Sequence, residues 1–135
     1  MMATQSNTKM VQDLYSAFGR GDITSILNML AEDVEWREPP GGTAPFKGIY
    51  RGRDSVGQFF ARFAEAVEVE SFEPREFYTH GDTVIALGHY RFRAKKTGKP
   101  YESDWTMVWR FRSGQVARFQ IYKDSAAEAA ALRDG

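Results

Sequence analysis

The hydrophobic period changes once along this 135-residue chain, and that change limits the folds open to it. Up to about residue 67, apolar residues recur mostly three and four apart, the repeat of a helix. From residue 71 onward they alternate, the repeat of a strand. Four alternating stretches follow, over 71–78, 83–93, 102–111 and 115–123. They are separated by Gly81-Asp82, Thr97-Gly98 and Ser113-Gly114, turn dipeptides that predict antiparallel hairpins.

The first half reads as helices around one strand. Met10, Val11, Leu14, Ala17 and Phe18 form the stripe of an amphipathic helix over 7–18, with Ser6, Asn7 or Thr8 as its cap. Gly19-Arg20-Gly21 ends it, and Asp22 opens a short second helix carrying Ile23, Ile26, Leu27 and Leu30. Residues 34–38 alternate as a strand and stop at Pro39-Pro40-Gly41-Gly42, a loop expected to run through Phe46 and Tyr50 to Gly52. Asp54 or Ser55 then caps a third helix with Val56, Phe59, Phe60, Phe63 and Val67 on one face, and Asp124 or Ser125 caps an Ala-rich tail helix. The order is α-α-β-α and then a four-strand meander. It predicts an α+β fold in one domain over 1–135, helices gathered on one face of a curved sheet, with residues 1–6 flexible.

Composition excludes several kinds of chemistry. Eighteen Lys and Arg balance eighteen Asp and Glu, so the surplus cation of a nucleic-acid binder is missing. No cysteine is present, which removes disulfides, thiolate nucleophiles and Cys-ligated metals. His80 and His89 are too few for a three-His metal site, and no metal or cofactor is expected. The first ten residues lack the apolar core of a signal peptide, and no apolar run nears the ~18–20 residues of a membrane span. A cytoplasmic protein without membrane contact is the expectation. Aromatic residues make up 14% of the chain, which points to a large apolar interior or a lined cavity.

Three segments resemble a known family. Asp22-Ile23, continued by Leu30-Ala31-Glu32-Asp33-Val34-Glu35-Trp36-Arg37-Glu38-Pro39, is similar to the helix-to-strand lead of the ketosteroid isomerase and SnoaL-like branch of the nuclear transport factor two-like superfamily. Tyr50-Arg51-Gly52-Arg53-Asp54 resembles the glycine-bearing approach to its third helix. Met107-Val108-Trp109-Arg110-Phe111 with Ser113-Gly114-Gln115-Val116 resembles its late hairpin. The likeness runs from Lys9 to Ala131. It implies a cone-shaped, cystatin-like α+β barrel: a strongly curved, mostly antiparallel sheet around three helices, an apolar pocket at the open end, and homodimers. The superfamily holds isomerases, dehydratases, cyclases, epoxide hydrolases and non-catalytic binding modules, so the site has to be argued from residues.

Glu38 is the first catalytic candidate. It shares strand parity with Val34 and Trp36, which turns it inward among aromatics, where lost solvation raises a carboxylate toward useful basicity. The alternative is a strand-end glutamate facing solvent. The resemblance puts Glu38-Pro39 where the isomerase has its general-base aspartate and the following proline. The isomerase's two oxyanion donors would fall at Leu14 and Met107, neither of which can donate a hydrogen bond. Tyr15 lies one residue off, about 100° around the helix.

His89 is the second candidate, on the parity Ile85/Leu87/His89/Arg91/Arg93. The opposite parity, Val84/Ala86/Gly88/Tyr90/Phe92, is apolar and suits either the helices or a dimer partner. Facing inward, His89 would act as acid or base; facing outward, it would be a hydrogen-bonded interface residue. Arg91 is a candidate partner for Glu38 or a substrate oxygen. Trp105, Met107 and Trp109 share a face, as do Phe119 and Ile121. With Leu14, Trp36, Phe59 and Phe63 they would line the pocket, ordinary core being the competing reading. Asp104 is expected at an interface or the surface rather than at the site, and His80 in a turn. Asp124 reads as a helix cap, or as the acid/base in a cyclase-like site.

Three functions follow from these candidates. The leading one is a cofactor-free acid–base enzyme of isomerase, cyclase or dehydratase type acting on a small apolar oxygenated molecule. The second is a non-catalytic homodimeric ligand-binding module, the dimer formed through the outer sheet face. The third is an epoxide-hydrolase-like enzyme using Glu38 and Arg91.

Overall fold

A computed structural model describes residues 3–39 and 46–133, and its sheet follows directly from the alternating second half of the chain. The strands β3 (Val67–His80), β4 (Thr83–Ala94), β5 (Pro100–Arg112) and β6 (Gln115–Tyr122) pair antiparallel in sequence order. The strand β1 (Leu30–Arg37) joins beside β6 in parallel, with Trp36 opposite Phe119. The three-residue strand β2 (Ile49–Arg51) closes that edge, giving the order β2-β1-β6-β5-β4-β3. This is the expected α+β architecture with a curved, mostly antiparallel sheet. The strand β2 falls within the span expected to be loop, because three residues are too few for alternation to show.

Helix α1 (Ala3–Arg20) places Val11, Leu14 and Ala17 in the core. It begins before the expected cap; residues 1 and 2 of the segment expected to be flexible lie outside the described residues. Gly21 takes φ 71°, and the amides of Gly21 and Asp22 bond back to Phe18 and Ala17, which ends the helix. The Asp22 carboxylate accepts from the Ser25 amide at 3.1 Å and caps α2 (Ile23–Asn28) as expected. Leu30, assigned above to this helix, instead begins β1. Helix α3 (Arg53–Ala66) has Gly52 rather than Asp54 or Ser55 at its N-cap, and Val67 leaves it directly for β3. Asp124 caps α4 (Ser125–Leu132) by accepting from the Ala127 amide at 2.9 Å.

The structure decides which parity of β4 faces the helices. Val84, Ala86, Gly88, Tyr90 and Phe92 are buried, and their alternates are not. Likewise β5 turns Trp105, Met107, Trp109 and Phe111 inward. The concave face is therefore aromatic, and the convex face carries the charged alternates. Strand β3 is an edge strand, and most of its residues remain partly or fully exposed.

Candidate functional site

A cavity opens between the concave sheet and helices α1 and α3, with about 630 Å³ of empty space counting its open mouth. Helix α1 contributes Leu14, and α3 contributes Phe59 and Phe63. The sheet contributes Trp36, Met107, Trp109, Phe119 and Ile121, all expected there from sequence. Tyr15, Phe18 and Phe72 complete the half-exposed side of the lining. The wall is nearly all hydrocarbon; besides the Tyr90 hydroxyl, it is broken at two polar places.

The first is Glu38. Its backbone amide bonds to the Gly48 carbonyl at 2.9 Å just past β1, and its parity carries the carboxylate inward beside Trp36. There it meets Lys123, which continues the inward parity Phe119/Ile121/Lys123 of the last strand. Lys123 Nζ lies 2.8 Å from Glu38 Oε1 and 2.9 Å from Glu128 Oε2, the latter brought in by α4. All three side chains are about 5% exposed or less. The Lys123 ammonium also sits 5.1 Å from the centroid of the Phe46 ring, a favourable cation–π distance.

Burial pushes the Glu38 carboxyl above its ordinary range. Lys123 opposes that shift, and the neighbouring Glu128 charge adds to it. The Trp36 indole N–H acts weakly on the same carboxylate, although its geometry makes no hydrogen bond with a described residue. Glu128 is likewise raised by burial against the pull of Lys123. Burial alone would lower Lys123, but the two carboxylates overcome it and the ammonium is held charged.

Both carboxyls bind protons more tightly folded than unfolded. Their contribution is therefore present at acidic pH and declines as pH rises above the unfolded value of about 4.5. Glu128→Gln removes one of these groups and relaxes the other. We expect the fall in melting temperature between about pH 5 and pH 8 to be shallower in that variant, by up to about one bound proton. His89, also raised by its partners, is common to both proteins and cancels in the comparison. Parallel thermal melts with equal slopes would contradict the coupling.

The second polar place is the Tyr15 hydroxyl. It accepts from Trp109 Nε1 at 3.0 Å and donates to Met107 Sδ at 3.2 Å. A thioether is a weak acceptor, so this O–H can turn to a better one in the cavity. The one-residue offset from Leu14 does not carry Tyr15 away from the site. Packing against Phe72, Trp105 and Trp109 holds its ring along the wall.

Three of the residues expected at the site are elsewhere. His89 lies on the convex face, where Nδ1 is 2.8 Å from Asp104 and Nε2 2.8 Å from Glu102. These two carboxylates raise its pKa, Asp104 most. Arg91, on the same face, bonds Glu70 and Glu102 at 2.9 and 3.1 Å. Both were misplaced because the apolar parity of β4 covers the helices, leaving the polar one outside. Trp105 is core rather than lining: it lies flat over Gly88 and stacks on Phe72 with ring centroids 5.1 Å apart. Asp104 is at the surface and Asp124 is a cap, as their plainer readings had it. Lys123 and Glu128 were missed. The only sequence signals were a lysine on an inward parity and the lone charge in α4.

The SnoaL-like domain family matches residues 11–119 of this chain. An NTF2-like protein of Burkholderia xenovorans LB400 is 35% identical, with a TM-score of 0.88 over 98% of this chain and 100% of that one. TerC, co-crystallised with polyporic acid, is 26% identical with a TM-score of 0.86 over 96% and 99%. An uncharacterised protein of Mycobacterium tuberculosis H37Rv is 26% identical over 93% of this chain and 95% of its own length.

Proposed function

The chain belongs to the SnoaL-like domain family, and within it we propose an acid–base enzyme that acts on a small apolar oxygenated molecule held in the cavity. The observation that carries this reading is a buried carboxylate of raised proton affinity, Glu38, set into an otherwise aromatic wall. Glu38 is the general base. Lys123 replaces His89 as its partner, holding one carboxylate oxygen and steadying the charge. Tyr15 supplies the hydrogen-bond donor for a developing oxyanion, the role that Leu14 and Met107 cannot fill. The co-crystal of TerC with polyporic acid supports a small organic occupant for a cavity of this family. No cofactor is invoked.

The test is a turnover screen followed by Glu38→Gln, which keeps shape and removes basicity. Turnover should fall about 10²–10⁴-fold. Unchanged turnover would remove Glu38 as the base.

One observation favours a second reading, a binding module without chemistry: Lys123 already occupies Glu38 Oε1, which tempers the base. That reading fails if a bound ligand emerges chemically altered. The epoxide-hydrolase alternative loses its support, because no arginine lines the cavity among the described residues. The proposal retains a homodimer through the outer sheet face, checked by solution mass at micromolar concentration. It also retains a cytoplasmic location; among the described residues no helix is long and apolar enough to cross a membrane.

A further inference from the structure

The charges at the cavity wall limit what the cavity can hold. Among the described residues, the charged side chains lining it are Glu38 and Lys123, with Glu128 immediately behind. Lys123 is the sole cation of that group, and both its ionic contacts are already made, at 2.8 and 2.9 Å. With both carboxyls ionised the cluster carries one net negative charge. With one of them protonated it is neutral. Neither state leaves an uncompensated positive charge for a ligand. Tyr15 and Tyr90, the titratable hydroxyls of the lining, are pushed upward by burial and stay neutral. Arg91 and Arg93 are tied to Glu70 on the convex face. The stretch 40–45, between Glu38 and Phe46 in the chain, contains no charged residue in its sequence.

Glu38 has the complementary capacity. Lys123 engages Oε1, whereas Oε2 accepts no hydrogen bond from another described residue, the Trp36 indole N–H beside the carboxylate acting on it only weakly. A carboxylate oxygen at an apolar wall takes a hydrogen-bond donor and repels another anion. An anion entering here would give up its hydration for a hydrocarbon wall and receive no cation in return. A neutral hydroxyl gives up far less and gains a charge-assisted bond.

We infer that the cavity selects an apolar, aromatic-sized ligand whose polar end is a neutral hydroxyl or enol directed at Glu38, and that it excludes carboxylates and other anions. This inference rests on the proposed reading of the cavity as a ligand site, and it does not require Glu38 to act as the base. The compound crystallised with TerC is by name an acid, so the charge rule makes this chain's preference a pointed comparison.

The experiment is a binding series at neutral pH on the whole protein, read by tryptophan fluorescence and calorimetry, with 2-naphthol, naphthalene and 2-naphthoate as probes of one size. Expected are 2-naphthol tightest, naphthalene weaker, and 2-naphthoate weaker than 2-naphthol by about tenfold or more. Glu38→Gln should bring 2-naphthol toward naphthalene. Glu128→Gln, which frees part of the Lys123 charge, should narrow the gap between 2-naphthoate and 2-naphthol. Equal or tighter binding of 2-naphthoate by the unaltered protein overturns the charge rule alone. Absence of saturable binding by all three probes overturns the cavity reading as well. The wild-type series decides the matter even if a variant does not fold.

Discussion

Lys123→Met should destabilise the protein by about 3–5 kcal/mol at neutral pH. The substitution keeps length and hydrophobic contact while removing the one positive charge between Glu38 and Glu128. Two carboxylates would then share an apolar space with their hydrogen bonds to Lys123 gone. Burial already raises both, so the variant would restore stability by taking up protons. Its deficit should therefore narrow as pH falls toward about 5. Denaturant unfolding at neutral and mildly acidic pH measures both effects. A variant within about 0.5 kcal/mol of the parent at neutral pH would mean the cluster does not carry its charges buried. Replacing all three members with apolar residues of similar volume is the informative companion. Without any charge to strand, it should recover most of the loss even though it removes two ion pairs.

Gly88→Ala is the second large effect, and it probes the core packing behind Phe72 of the cavity wall rather than the polar end. A Cβ at Gly88 would stand 2.3 Å from Trp105 Cζ2 and 2.4 Å from the Glu73 carbonyl oxygen. The ring is fixed by stacking on Phe72, and the carbonyl belongs to the β3 backbone opposite, so neither can retreat cheaply. Overpacking of a fitted core costs about 1–3 kcal/mol, and two contacts this short place Gly88→Ala at or beyond the upper end. Thermal and denaturant unfolding check the value. Trp105→Leu added to it should recover only part, since the Glu73 carbonyl clash remains. Gly19→Ala is the contrast: nothing lies within 4 Å of its Cβ position, and in helix α1 alanine should be neutral or stabilising by up to about 1 kcal/mol. If both glycines respond alike, the close approach of Trp105 to the strand is wrong.

Much of the site was legible because an alternating strand fixes its side chains' faces relative to one another. Glu38 follows Val34 and Trp36 inward, and Met107, Trp109, Phe119 and Ile121 follow their own strands. His89 and Arg91 show the limit of that rule. Alternation says that β4 has two different faces, but not which of them the helices cover. The small side chains of Ala86 and Gly88 answer that once Trp105 is seen lying over the strand. Tyr15 shows a related limit, since an offset of one residue on α1 still leaves a long side chain in reach of the wall.

By itself the sequence determined the order of the helices and the longer strands, the hairpins, the helix stop at Gly21 and the aromatic character of the inner face, because these depend on local periods and turn chemistry. The pairing of Glu38 with Lys123 joins residues 85 apart, and only the parallel placement of β1 beside β6 brings their ends together. Glu128 arrives with a helix whose sequence says almost nothing about what it packs against. A local pattern records which side chains share a face. Which charges meet in a buried space is decided by how distant strands and helices close over it.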